Sequence, residues 1–193
     1  MKLIIFEGVD RTGKDTFCKF IIDNSKKYII RHWGFPKGKT NEEKIRYQKY
    51  SFKKEFDFYN SLKKDKYFFE NNDYLIWNRS HIGELVYGRL YRNYNPDIWI
   101  YNIESLYGFD IDKNIYLILL HTDPNFIIKQ DDGKSFTKKI DMKKREIELF
   151  EQAFEKSIIQ NKLKITINKG NEYRNKEELK QELFKFVKIN NKF

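Results

Sequence analysis

Residues 2–16 read KLIIFEGVDRTGKDT, and this stretch decides the fold. The run Leu3–Phe6 is short, apolar and ended by glycine, the pattern of a buried strand. Gly8, Gly13 and Lys14 then match G-x-x-x-x-G-K, a turn whose backbone N–H groups curl around a phosphate before a helix begins. The hydroxyl expected after the lysine is replaced by Asp15, and Thr16 follows. Thr12, Gly13, Lys14, Asp15 and Thr16 are therefore the expected nucleotide-phosphate contacts, with Lys14 reaching the β- and γ-phosphates. Arg11 is placed to neutralise charge on a transferring phosphoryl group. A carboxylate at Asp10 would repel phosphates unless it faces a hydroxyl, so Asp10 points to a second ligand.

Outward from this loop, strand and helix patterns alternate. Helical spacing covers 15–26, a strand 28–34, and one bent helix or two helices 41–69. A strand is expected at 73–78, helices at 82–92 and 96–107, and a strand at 114–122. Asp123-Pro124 opens a helix. Residues 129–137 are polar and loop-like, a helix spans 139–159, a strand 162–168, and an amphipathic helix closes the chain at 175–190. Leu179, Leu183, Phe186 and Val187 share one face of that last helix. Such alternation predicts an α/β fold, a five-stranded parallel sheet with helices on both faces and right-handed crossovers. Ligands then sit at the carboxyl ends of the strands, where the first loop lies.

The 193 residues suit a single domain, 1–193. No apolar run is long enough to span a bilayer, and the first ten residues carry too short an apolar run for a signal peptide. One cysteine, Cys18, rules out an internal disulfide and fits a reducing cytosol. It falls early in the first helix, where a small packing residue is expected. The 38 basic and 28 acidic residues give a net charge of +10. They are interleaved, and with the abundant Lys, Asn, Ile, Tyr and Phe they read as compositional bias. Anionic nucleotides gain from the positive field, but stable nucleic-acid binding is not expected. His32 and His81 lack partners at metal-ligand spacing. The aromatic stretch 67–77 reads as core.

The loop "FEGVDRTGKDT" (6–16) resembles the thymidylate kinase family, whose loop reads F-E-G-x-D-x-x-G-K-S-T and which is matched except at Asp15. A second match, "NRSHIGELVYGRLYR" (78–92), aligns without gaps to D-R-[YHS]-x-x-S-S-x-A-Y-Q-G-x-G-R. The resemblance implies a P-loop nucleoside-monophosphate-kinase fold with a short lid, about 129–138. It implies ATP as donor, Mg²⁺, nucleotide substrates and transfer to a deoxynucleoside monophosphate, dTMP first. Arg79 falls on the arginine that holds the acceptor phosphate, and Tyr87 on the tyrosine beside the sugar's 2′ position. Arg92 matches the last basic position. Gly83 and Glu84 replace serines in the acceptor wall, so Glu84 is a pocket candidate. "FPK" (35–37) implies that Lys37 or Lys39 helps with the acceptor phosphate. "NKGNEY" (168–173) is placed like the loop that touches adenine. Phe52, Phe56 and Phe58 stand where the family stacks its base, without the family's arginine partner. Arg11, Lys14 and Arg79 are the implied catalytic set.

The family pairs a hydroxyl after the loop lysine with an aspartate at the end of the third strand. Here Asp15 and Asn78 exchange those chemistries. Asp15, with Asn78 through water, is the expected magnesium-facing group. A plain helix-capping role for Asp15 stays open. The resemblance also implies a cytoplasmic enzyme (host cytoplasm if viral) and allows a homodimer. A deoxynucleoside kinase is the nearest rival, but it needs a carboxylate base just after the second strand, and "HWGFPKGK" has none. A nucleic-acid end-phosphorylating protein is the rival from another class.

Overall fold

The computed structural model describes residues 1–130, 133, 135 and 137–189. The elements run β1 Lys2–Glu7, α1 Lys14–Ile22, β2 Tyr28–His32, α2 Asn41–Lys64, α3 Lys66–Asn71, β3 Tyr74–Asn78, α4 His81–Tyr91 and α5 Asp97–Leu106. They continue with β4 Ile115–His121, α6 Pro124–Lys129, α7 Ile140–Lys156, β5 Asn161–Thr166, the short strands β6 Asn168–Lys169 and β7 Glu172–Tyr173, and α8 Lys176–Val187. Residues 131, 132, 134 and 136 of the expected lid lie outside the described residues, as does position 190 of the expected last helix.

Five strands form one parallel sheet in the order β2-β3-β1-β4-β5. This is the expected α/β architecture. The apolar run of β1 is central because it is buried on both faces: Leu3 through Phe6 have no exposure at all. Each such side chain contributes about 1.5–3 kcal/mol through burial, so β1 and the equally apolar β4 anchor the sheet. By contrast β2 is an edge strand with Tyr28 and Ile30 exposed, so the sheet is not covered everywhere. The expected strand at 28–34 ends at His32, and Trp33 to Pro36 turn away over the strand ends.

The long aromatic segment becomes α2, opened by a capping box in which Thr40 accepts from the Glu43 amide. Gln48, Phe52, Phe56, Tyr59 and Leu62 form its buried face. Phe56 meets Trp77 and Phe109 in the core, while Phe58 lies under the Arg31 guanidinium, 4.7 Å from its centre. Within the stretch expected to be core, Trp77 is buried but Tyr67 is 78 % exposed. Cys18 is buried, and burial pushes its thiol up to about 12, as suits a packing residue. His81 is also structural, paired in the core with Glu104 at 2.8 Å. No helix among the described residues is long and apolar enough to cross a membrane.

The strand order changes direction between β1 and β3, so the loops after these two strands diverge. A crevice opens there at their carboxyl ends.

Candidate active site

The loop after β1 is built by backbone geometry that few residues adopt. Gly8 has φ 139°, and a Cβ there would lie 2.5 Å from the Leu120 carbonyl oxygen of β4. Gly13, left-handed at φ 83°, is the residue from which α1 starts. Arg11 is left-handed as well, at φ 72°, an uncommon state for a non-glycine residue. The Thr12 hydroxyl donates to the Val9 carbonyl at 2.9 Å and is buried. Its side chain thus closes the loop rather than facing a ligand.

Lys14 folds back across this loop. Its ammonium donates to the carbonyls of Gly8 and Val9, both at 2.8 Å. Burial first, and the nearby Arg79 second, lower its pKa to about 8. Two neutral carbonyls only partly offset the loss of water around the charge. An anion in the loop would complete its surroundings.

Arg79 leaves the end of β3 with φ 69°, its amide donating to the Phe6 carbonyl at 2.9 Å. Its guanidinium pairs with Asp10 at 2.7 Å. Glu7 fixes the same junction from beneath: it accepts from the Ser80 hydroxyl at 2.7 Å and from the Gly83 amide at 3.0 Å. Burial raises its pKa, against these bonds. The sequence reading assigned Glu7 no role. Its signal was there, a carboxylate directly after the apolar run Leu3–Phe6.

Two cavities meet at this junction. The first, about 680 Å³, lies before the loop and is lined by Arg11, Lys14, Asp15, Thr16 and Asn78. The second, a slot of about 50 Å³, runs between β1, α4 and α2 past Trp33, Phe52, Glu84, Tyr87 and Arg92. Asp10, Arg79 and Phe35 belong to both. An arginine thus stands at the junction of two cavities, one of them lined by the glycine-framed loop and Lys14, a placement that can face two anions at once.

The chain has the thymidylate-kinase fold. It superposes on thymidylate kinase from Candida albicans with a TM-score of 0.62, at 12% identity, over 97% of this chain and 91% of that one. It superposes equally on the YorR protein of Bacillus subtilis, solved in complex with phosphorylated GDP, with a TM-score of 0.61, 17% identity, and 96% and 95% coverage. No family model matches the chain, and no curated protein matches it in sequence.

Within this thymidylate-kinase fold, most of the expected residues converge. Tyr87 lines the slot, stacked on Tyr91 at 6.0 Å and edge-on to Phe150 of α7 at 5.7 Å. Glu84 lines it too, though its carboxylate is tied to Gln48, Arg92 and Tyr94. Lys37 is exposed, one residue beyond Pro36, where this segment leaves the cavity wall. Of the three candidate stacking rings only Phe52 faces the slot, against Trp33 at 4.7 Å. Gln130 and Ser135, from the expected lid, line the larger cavity. The stretch 168–173 forms the β6–β7 hairpin, and Tyr173 reaches the same cavity with its hydroxyl 3.3 Å from the Arg11 carbonyl.

Asp15 and Asn78 are in direct contact: the Asn78 amide donates to the Asp15 carboxylate at 2.5 Å. The N-cap of α1 is Gly13, which has no side chain to cap with, and Asp15 stands in the first turn of the helix and pairs across the crevice with Asn78. The Asp15 side chain is 86% exposed, with His32 3.9 Å away, a neighbour that sequence spacing gave no reason to expect. Among the described residues the buried Asn78 Oδ1 finds no hydrogen-bond partner. A carboxylate at the mouth of the cavity, an orphaned amide oxygen behind it and the Thr16 hydroxyl alongside fit a hydrated magnesium ion, which keeps several waters and takes one or two carboxylates. No group of three or more His, Cys, Asp or Glu among the described residues is arranged to hold a metal.

Proposed function

We propose that the protein is a nucleotide kinase that moves the γ-phosphoryl group of ATP to the 5′-phosphate of a deoxynucleoside monophosphate, dTMP first. The observation that carries this reading is the meeting of two cavities at the Asp10–Arg79 pair, one wrapped by the phosphate loop and one walled by aromatic rings. Phosphoryl transfer asks the protein for alignment and charge neutralisation rather than covalent chemistry. Lys14 and the backbone amides after Gly8 hold the donor phosphates, and Arg11 lies beside them. Arg79 supplies the cation that faces the acceptor phosphate. Asp10, turned from Arg79 as the phosphate takes its place, receives the sugar's 3′-hydroxyl. Tyr87 stands beside the 2′ position. Magnesium bound with ATP supplies charge neutralisation, and Asp15 with Asn78 and Thr16 would hold it.

The rival reading is a nucleoside kinase. Such an enzyme needs a carboxylate base just after β2, where residues 32–39 carry none; Glu7, which lines the slot from the end of β1, is committed to Ser80 and Gly83, and Arg79 in the same slot suits a phosphate. A coupled assay with the four deoxynucleoside monophosphates, the corresponding ribonucleoside monophosphates and the deoxynucleosides separates the two. Turnover of monophosphates, and of deoxy- over ribonucleotides, is expected. Turnover of thymidine alone would sink the monophosphate reading, and indifference to the 2′-hydroxyl would remove the role given to Tyr87.

The Asp15–Asn78 contact gives a second expected result. Asp15→Ser removes the only carboxylate of the pair, and it should raise the magnesium concentration needed for half-maximal rate and lower kcat. Adding Asn78→Asp restores a carboxylate at the facing position and should recover much of both. Residues in contact couple by about 0.5–3 kcal/mol. Purely additive losses in the double variant would leave Asp15 no role toward the metal.

A further inference from the structure

Glu84 sits in the first turn of α4 with 2% exposure. Three donors from three parts of the chain converge on it: the Gln48 amide of α2 at 3.1 Å, the Arg92 guanidinium at the end of α4, and the Tyr94 hydroxyl beyond it. A carboxylate only accepts. Its attachment therefore fixes which way Gln48 is turned: the amide nitrogen faces Glu84, and Oε1 is the acceptor that Gln48 has to offer the slot it lines. Arg92, 6% exposed, also lines the slot, and its buried Nε finds no partner among the described residues. One turn along α2 from Gln48, Phe52 and its neighbour Trp33 form an aromatic wall of the slot.

Resting on the kinase reading above, we propose that Gln48 and Arg92 read the edge of the acceptor's base, and that Glu84 is the positioning residue that orients both. The chemistry offered is a set of guanidinium donors beside one fixed amide acceptor. It fits a base whose ring carbonyl adjoins a ring N–H, the edge common to thymine, uracil and guanine. An exocyclic amino group, as in cytosine or adenine, sets donor against donor when it faces Arg92. Glu84 engages one of the two Gln48 N–H donors and holds the amide nitrogen on its own side, which disfavours the two-point amide contact that glutamine makes to adenine.

Equilibrium binding of dTMP, dGMP, dCMP and dAMP, measured calorimetrically beside binding of a non-hydrolysable ATP analogue, tests this without turnover. The wild-type protein is expected to bind dTMP or dGMP at least about tenfold tighter than dCMP and dAMP. Glu84→Gln should bring that ratio towards one while leaving analogue binding unchanged. Gln48→Leu, which spares the Arg92 and Tyr94 bonds to Glu84, should do the same and serves if Glu84→Gln does not fold. A ratio that survives in a folded variant, or a wild-type preference for dCMP or dAMP, would overturn the proposal. Tight, base-selective binding without any phosphorylation would sink the kinase reading alone.

Discussion

Lys14→Met should lower kcat by about a thousandfold, the scale of losing one preorganised charge at a reacting phosphoryl group. Methionine is unbranched and one heavy atom shorter than lysine, so the substitution removes the charge while keeping most of the apolar stem. It also leaves the Gly8 and Val9 carbonyls without their donor, which costs about 1–3 kcal/mol if water does not replace it. Melting temperature measured beside activity separates the two effects. The same lysine sets a pH dependence. In the ligand-free protein its pKa is lowered to about 8, and donor phosphates beside the ammonium raise it again. Below about 8 the lysine is charged before and after binding, so its titration gives ATP affinity no pH dependence there. Above 8 binding must take up a proton, and affinity should fall about tenfold per pH unit until the pKa of the bound state is reached. Calorimetry from pH 7 to 10 checks this. A flat profile in wild type, or the same slope in Lys14→Met, would place the lysine away from the phosphates.

Arg79→Ala should cut kcat/KM for the acceptor by about ten- to a hundredfold, through both a higher KM and a lower kcat. ATP affinity should hardly change. Its backbone offers an internal control. At φ 69° the position is strained for alanine and relaxed for glycine. Arg79→Gly should therefore melt above Arg79→Ala while remaining just as poor with the acceptor. Equal loss of ATP and acceptor affinity in both variants would assign Arg79 to the donor.

The phosphate loop, the parallel sheet and the positions of Lys14, Arg79 and Tyr87 were all legible in the chain. The loop, the sheet and Lys14 rest on local rules: an apolar run ended by glycine, a fixed spacing from Gly8 to Lys14, and alternating helical and strand periods; Arg79 and Tyr87 came from the resemblance of residues 78–92 to a family motif. The exchange of Asp15 and Asn78 was legible because it is a swap within motifs, and the two side chains do touch. Other assignments could not be made locally. Glu7, 76 residues from Gly83, ties the two motifs together, and Gln48, 36 residues from Glu84, enters the acceptor wall. Which of Phe52, Phe56 and Phe58 faces the slot depended on the rotation of α2, since each is apolar and fits core or cavity alike. Lys37 followed a short sequence echo, whereas the turn after the edge strand β2 carries it to the surface. Sequence alone thus determined the loop's spacing and the alternation of strands and helices, because both follow from neighbouring residues, while the strand order β2-β3-β1-β4-β5 came from the tertiary structure. Only the tertiary structure decided which polar groups share one small cavity, because that depends on how helices far apart in the chain pack around the strand ends.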